Sequence, residues 1–252
     1  MKGGFGMKIL SIGNSFSADA HAYLHVLAEQ RGIDLETVNL AIGGCSLETH
    51  WKNVEENNAN YLHSINGGDW TEKLVTIEEI LKSERFDAVT FQQVSGYSGK
   101  YDTFQPYLNN LVDYVCKIQP NANKYFHRTW AYEIDSPHGD FPLYDCNQRK
   151  MYEALCQASL TACEEIGATL IPSGDVIQAL REQVPMFDYA NGGESLCCDG
   201  FHMSHTYGRY AVALTWLAVF SGKQVEPLPF KELDLNIISK ICQIVNEIVF
   251  AK

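Results

Sequence analysis

Short apolar segments alternate along this chain with longer segments of helical periodicity. The short segments are rich in β-branched and aromatic residues and predict five buried strands, at residues 8–12, 34–40, 86–91, 124–129 and 168–171. The longer segments predict helices, because their apolar residues recur every three or four positions, at residues 18–31, 71–83, 104–118, 145–166, 173–182, 205–221 and 233–250. This alternation is typical of an α/β fold with helices on both faces of a parallel sheet.

A chain of 252 residues suits one large domain, and we expect residues 1–252 to form it. Residues 46–70 are polar, rich in Asn and only weakly periodic, which predicts a loop excursion over the sheet edge. Residues 223–252 are expected to form a C-terminal helical extension. The predicted architecture is therefore a three-layer α/β/α domain around a five-stranded parallel sheet.

Several candidate functional residues follow predicted strands. Ligands of open α/β sheets bind at the carboxyl ends of the strands. Ser15, Gly44, Gln92 and Thr129 each come directly after one of these strands or within a few residues of it. The sequence therefore places these residues along the same rim of the sheet.

Ser15 and His202 are candidates for a nucleophile and its base. The Ser15 hydroxyl would project from a helix N-terminus, where free N–H groups favour developing negative charge. A serine needs an adjacent base, and the base needs a group that orients it; Asp199, three residues before His202, can supply that group. The alternative is that Ser15 or Ser17 caps the helix and Asp199 caps another. His205 is a weaker candidate for the base.

Three further residues could donate hydrogen bonds to an oxyanion. Gly44 allows the backbone to approach a reacting carbonyl closely, although it could also be a plain turn glycine. Gln92 and Gln93 end an apolar strand, where a buried amide needs a partner. Strand alternation sends the two side chains to opposite faces, so we expect only one of them to reach the site. The alternative is a buried structural amide.

Three short blocks carry a resemblance to the SGNH, or GDSL-type, hydrolase superfamily. They are Ile-Gly-Asn-Ser-Phe-Ser at 12–17, Asn-Leu-Ala-Ile-Gly-Gly at 39–44 and Asp-Gly-Phe-His at 199–202. The resemblance spans roughly residues 8–222 and implies a flavodoxin-like SGNH hydrolase fold. It implies Ser15 as nucleophile, His202 as base and Asp199 as its partner. The oxyanion hole would comprise the N–H groups of Ser15 and Gly44 and a Gln amide, with no metal or cofactor.

The sequence departs from the family pattern at two places. Asn14 stands where the family normally has Asp before the serine, and no Gly-x-Asn-Asp follows Phe91. The segment after Phe91 is instead similar to the carbohydrate-acetylesterase branch, in which a glutamine replaces the oxyanion asparagine. That similarity favours Gln92 as the third donor, with Gln93 as second choice. The same departures support an alternative function, a non-catalytic carbohydrate-binding module on this fold.

Candidate substrate-binding residues follow the fourth predicted strand. Trp130 and Tyr132 could stack on a sugar face, and Arg128 could bind a carboxylate, although all three could equally serve loop packing. Together with the resemblance to acetylesterases, they favour a serine esterase that deacylates an O-acetylated carbohydrate or a similar small ester.

The charge and the cysteines exclude several other classes. A net charge of −12 argues against nucleic acid or an anionic membrane as partner. The resemblance implies a small-molecule or carbohydrate ester as the partner instead. The chain shows no secretory signal, which predicts a soluble cytoplasmic protein, or a secreted or periplasmic one if the gene starts upstream. None of the eight cysteines forms a CxxC pair, so we expect free thiols and no metal site.

Overall fold

A six-stranded sheet with helices on both faces forms the protein in a computed structural model, which describes residues 6–251. The strands are β1 Met7–Gly13, β2 Leu35–Ala41, β3 Leu62–Ile65, β4 Ala88–Phe91, β5 Asn123–His127 and β6 Thr169–Ile171. The helices are α1 Ser15–Gln30, α2 Leu47–Glu55, α3 Ile77–Ser83, α4 Tyr107–Ile118, α5 Gln148–Ile166, α6 Ser173–Gln183, α7 Tyr207–Ser221 and α8 Leu235–Val249. The three-layer α/β prediction is confirmed.

The strand order is β3-β2-β1-β4-β5-β6, and every neighbouring pair is parallel except β2 and β3. The strand count differs from the predicted five because residues 46–70 contain α2 and the antiparallel strand β3. The hydrophobic pattern does not reveal β3, since Ser64 is its one fully buried residue. The order places the ends of β2, β1 and β4 side by side at one rim.

The helix predicted at residues 71–83 is shorter in the structure and begins at Ile77. Thr76 is its N-cap. The Thr76 hydroxyl accepts a hydrogen bond from the Glu79 N–H at 3.0 Å, and the Glu79 carboxylate accepts one from the Thr76 N–H at 2.8 Å. This reciprocal pair is a capping box, and its Thr-x-x-Glu signature is present in the sequence.

The C-terminal helix α8 packs into the main core. Its apolar residues Ile238, Ile241 and Val245 are fully buried in the same hydrophobic cluster as most of α7.

Among residues 6–251, no helix has both the length and the apolar character needed to cross a bilayer. All eight cysteines lie within this range, and each is a free thiol.

The turn between β1 and α1 is tight. A Cβ at Gly13 would lie 2.5 Å from the Ser17 hydroxyl oxygen, so only glycine allows the strand to approach the helix this closely. Asn14 is the N-cap of α1, since its Oδ1 accepts the Phe16 N–H at 3.0 Å. Ser15 is therefore the first residue of the helix and lies at the rim, with its hydroxyl not used for capping.

Candidate active site

Ser15, His202 and Asp199 lie in one hydrogen-bonded row at the rim. The Ser15 Oγ is 2.8 Å from His202 Nε2, and Asp199 Oδ2 is 2.7 Å from His202 Nδ1. A carboxylate can only accept, so the ring proton belongs on Nδ1 and Nε2 is left to accept from the Ser15 hydroxyl. This is the arrangement of a serine nucleophile with an oriented general base.

Asp199 is held in its charged form by the loop it belongs to. Its Oδ1 accepts the backbone N–H groups of His202 at 2.7 Å and Phe201 at 3.1 Å. Partial burial alone would raise the pKa of the carboxyl, but the hydrogen bonds from the His202 ring and these backbone groups outweigh it and lower the pKa below its usual value. The carboxylate is therefore available to steady a protonated His202.

Asp19 joins the helix that carries Ser15 to the loop that carries His202. It lies one turn after Ser15, and its carboxylate accepts the Met203 N–H and the Arg209 Nε–H, both at 2.8 Å. Burial raises its pKa, although the hydrogen bonds from Met203 and Arg209 oppose that effect. The sequence analysis missed this residue. The feature of the sequence that could have identified it is an acidic residue on the otherwise apolar, buried face of α1.

Trp130 makes a second connection between the same two elements. Its ring stacks on Phe16 with 4.3 Å between centroids and 8° between planes, and its Nε1–H donates to the Phe201 carbonyl oxygen at 2.7 Å. Trp130 is fully buried, so it has no surface to offer a sugar. The expectation of a sugar platform is corrected at this residue.

Arg128 and Tyr132 are also buried, which extends that correction to all three predicted substrate-binding residues. The Arg128 Nη1 donates to both carboxylate oxygens of Asp175, each at 2.7 Å. The Tyr132 hydroxyl lies 2.8 Å from the Ser95 Oγ. The segment after β5 turns inward beneath the rim, and this is why its aromatic and cationic side chains pack inside the protein.

Gln92 belongs to a buried row of four neutral polar side chains, which we call the buried polar chain: Asn14, Gln92, His127 and Ser173. The Gln92 Nε2–H donates to Asn14 Oδ1 at 2.8 Å, and its Oε1 accepts from His127 Nδ1 at 3.0 Å. His127 Nε2 lies 3.0 Å from the Ser173 hydroxyl. All four residues are at most 1% exposed, and burial lowers the pKa of His127 to about 3.

Gln93 also has structural partners. Its Oε1 accepts the Leu47 and Val94 N–H groups, both at 2.9 Å, and its Nε2 donates to Thr103. Neither glutamine lines the cavity beside Ser15. Neither of the two candidates for the third oxyanion donor, Gln92 and its second choice Gln93, is directed into the cavity; both connect elements of the fold.

Gly44 lies where the sequence places it, next to Ser15. Its φ of +67° is in the left-handed region that favours glycine. The Asn14 Nδ2–H donates to the Cys45 carbonyl oxygen at 3.1 Å, which ties this turn to the residue before the nucleophile. Gly44 and Ser15 line the same cavity.

The cavity beside the nucleophile measures about 210 Å³. Its walls also include two polar residues that the sequence analysis did not single out, Ser95 and His138. The His138 ring packs against Phe201 at 4.8 Å and Tyr132 at 4.5 Å between centroids. A larger cavity of about 790 Å³ lies among α5, α6 and α8, and neither Ser15, His202 nor Asp199 lines it. The smaller cavity is therefore the candidate active site. Within residues 6–251, no cluster of three His, Cys, Asp or Glu side chains could hold a metal ion.

Solved structures with related folds include several SGNH hydrolases. A putative SGNH hydrolase from Slackia heliotrinireducens superposes with a TM-score of 0.56 at 20% identity, covering 85% of this chain and 99% of that one. The acetylxylan esterase Axe2 from Geobacillus stearothermophilus superposes with a TM-score of 0.53 at 15% identity, covering 86% of this chain and 95% of that one. At these identities the likeness concerns the fold, which is the SGNH hydrolase fold.

A much closer likeness links the chain to a crystal structure of a DUF4886 family protein from Bacteroides uniformis. The TM-score is 0.89 at 34% identity, covering 97% of this chain and 95% of that one. No curated protein matches the sequence. The model of the family described as a domain of unknown function, DUF4886, matches residues 8–251. The chain therefore belongs to the DUF4886 family, whose fold is that of the SGNH hydrolases.

Proposed function

We propose that this protein is a serine ester hydrolase that works through an acyl-enzyme at Ser15. The observation that carries the proposal is the continuous row of hydrogen bonds from Ser15 through His202 to Asp199, at 2.8 and 2.7 Å. Since Asn14 caps α1, the Ser15 hydroxyl has no capping role that would explain its place in this row. A Ser–His–Asp row beside a cavity supports acyl transfer.

The proposed reaction has two halves. Ser15 Oγ attacks the ester carbonyl while His202 Nε2 takes its proton, and the N–H groups of Ser15 and Gly44 donate to the resulting oxyanion. The C–O bond to the alcohol then breaks, and His202 returns the proton to the leaving alcohol. Water attacks the acyl-Ser15 ester with His202 again as base, which releases the carboxylic acid and restores the serine.

The size of the cavity favours a small acyl group. Pockets that enclose drug-sized ligands typically measure about 300–1,000 Å³, whereas this one measures about 210 Å³ and is bounded by Val94, His138 and Phe201. An acetyl group suits such a space. The acetylxylan esterase among the structures of the same fold supports an O-acetylated carbohydrate as the source of that group. Tyr97, 40% exposed and in the same short turn as Ser95, offers an aromatic surface for a sugar ring.

Hydrolysis of p-nitrophenyl acetate tests the proposal. The Ser15→Ala variant should lose turnover by at least about 10⁴-fold, because no other group in the row can form the acyl-enzyme. Ser239→Ala is the matched control, since this remote serine on α8 only donates to the Leu235 carbonyl oxygen. It should retain wild-type turnover.

The same assay, run on esters of different chain length, tests which acyl group the protein prefers. It also separates the esterase from the alternative function, a carbohydrate-binding module. Acetyl esters should be hydrolysed faster than butyryl and octanoyl esters, and acetate should be released from acetylated xylooligosaccharides. A wild-type protein that turns over none of these esters, yet binds the oligosaccharide, would contradict the proposal and favour a carbohydrate-binding module.

A further inference from the structure

The candidate oxyanion hole has two backbone donors and lacks the side-chain donor expected from a glutamine. Gln92 and Gln93 both have other partners and do not line the cavity. Ser95 does line it and carries a hydroxyl. We propose that the Ser95 hydroxyl is the third oxyanion donor and that Tyr132 orients it. This inference rests on the proposed esterase function.

The topology supports Ser95 as the third donor. Ser15 follows β1, Gly44 follows β2 and Ser95 follows β4. Because the sheet order is β2-β1-β4, these residues come from the ends of three adjacent strands, with the nucleophile in the middle. Donors on both sides of the nucleophile can converge on one oxygen of the tetrahedral intermediate.

Hydrogen-bond accounting gives the direction in which the Ser95 hydroxyl donates. Among the described residues, the Tyr132 hydroxyl has a single partner, the Ser95 Oγ at 2.8 Å. Tyr132 is fully buried and burial raises its pKa, so the phenol keeps its proton and needs an acceptor. If Tyr132 donates to the Ser95 oxygen, the Ser95 hydrogen is released towards the cavity. Accepting from Tyr132 also makes the Ser95 O–H a stronger donor.

The short turn that carries Ser95 is fixed at several points, as an oxyanion donor requires. The Ser98 hydroxyl donates to the Ser95 carbonyl oxygen at 2.6 Å, and the Tyr144 hydroxyl donates to the Gly96 carbonyl oxygen at 2.9 Å. A Cβ at Gly96 would overlap the Asp140 carboxylate, so this turn packs closely against its neighbour. Ser98 and Tyr144 thus hold the backbone of the turn without lining the cavity.

Steady-state kinetics on p-nitrophenyl acetate tests the role of Ser95. Ser95→Ala should lower kcat by about 10²–10³-fold with KM nearly unchanged, because the interaction is made in the transition state. The remote control Ser239→Ala, which also removes a serine hydroxyl, should lower kcat by less than about twofold. Equal losses in these two variants would overturn the inference, while a continued dependence on Ser15 would leave the esterase proposal standing.

The role of Tyr132 is tested by a double-mutant cycle. Tyr132→Phe should lower kcat about tenfold in the wild type and have no further effect in Ser95→Ala, since it acts only through Ser95. Tyr189→Phe removes a phenolic hydroxyl that donates to Asp135 away from the cavity, and it should lower kcat by less than about twofold in either background. Additive effects of Tyr132→Phe and Ser95→Ala would overturn its role as a positioning residue.

Two further outcomes are distinguishable. If Ser95→Ala does not fold, Ser95→Cys keeps the volume and replaces the hydroxyl with a weak donor; a loss of kcat at constant KM supports the inference, and no loss overturns it. If the wild type and Ser15→Ala are equally inactive on every ester, the proposed function fails and the inference fails with it.

Discussion

Two Ser–His pairs in this protein share a geometry and differ in their surroundings. At the rim, His202 lies 2.8 Å from the Ser15 hydroxyl through Nε2 and 2.7 Å from Asp199 through Nδ1. In the buried polar chain, His127 lies 3.0 Å from the Ser173 hydroxyl through Nε2 and 3.0 Å from the Gln92 amide through Nδ1. Each histidine thus sits between a serine and a side-chain oxygen.

The two pairs differ in the group that contacts the Nδ1 of each histidine, and in how accessible each pair is to water. The carboxylate of Asp199 can stabilise a protonated ring, whereas the neutral amide of Gln92 cannot. The His202 side chain is 30% exposed and lines a cavity, while His127 and Ser173 are at most 1% exposed. A Ser–His distance alone therefore does not identify a nucleophile. The charge of the third group and the open space beside the serine separate a candidate active site from a structural row.

Replacing Asp199 with Asn places a neutral amide beside His202, as Gln92 is placed beside His127 in the buried polar chain. Ester turnover should fall about 10⁴-fold, because an amide neither fixes the useful tautomer nor stabilises the imidazolium. The measurement is kcat on p-nitrophenyl acetate, with Asp113→Asn on the exposed face of α4 as the control for a lost negative charge. A kcat within tenfold of the wild type would remove Asp199 from the mechanism.

Replacing His127 with Ala breaks the buried polar chain and should affect stability far more than chemistry. The free energy of unfolding should fall by about 3 kcal/mol, because Gln92 and Ser173 each lose a partner and a cavity is left. Urea unfolding measures this effect. Turnover per folded molecule should stay within about tenfold. A stable variant that had lost turnover about 10³-fold would show instead that His127 takes part in the reaction.

The acid sensitivity of folding should report the burial of His127. Burial holds the folded-state pKa of His127 at about 3, below the ordinary value of about 6.5 expected for the unfolded chain. Between these values the unfolded state binds more protons, so stability falls as the pH falls. In His127→Gln the stability should depend less steeply on pH in this range, by up to about 1.4 kcal/mol per pH unit. Urea unfolding at pH 7, 5.5 and 4.5 measures the slope, and an unchanged slope would contradict the assignment.

The residues whose placement the sequence predicts are those fixed by strand ends and short spacing. Ser15 and Gly44 follow strands with clear apolar patterns, so their meeting at the rim follows from a parallel sheet. Asp199 and His202 are three residues apart on one loop, so their contact needs little long-range information. The N-cap of α1 is also a local feature, but the sequence analysis considered only Ser15 or Ser17 for it, as the alternative to a catalytic role, and the cap is Asn14.

Whether a side chain that follows a strand is buried or exposed could not be predicted in the same way. The sequence was equally consistent with a sugar-binding surface and with internal packing for Trp130 and Tyr132. The segment after β5 turns inward because of contacts with Phe16 and Ser95, which are far away in sequence. Gln92 has the chemistry of an oxyanion donor, but its direction depends on Asn14 and His127. Strand β3 was hidden for a different reason, since its residues are largely exposed.

The hydrogen bond between Ser15 and His202 joins residues 187 positions apart, and the contacts of Asp19 with Met203 and Arg209 span 184 and 190 positions. A ribosome must therefore synthesise the chain as far as His202 before the Ser15 and His202 side chains can meet. Contacts of such long range also form slowly, because the entropy of closing a large loop is lost before the contact is gained. Recovery of the proposed esterase activity after dilution from denaturant would consequently report assembly of the whole domain, whereas the helical circular-dichroism signal could recover earlier.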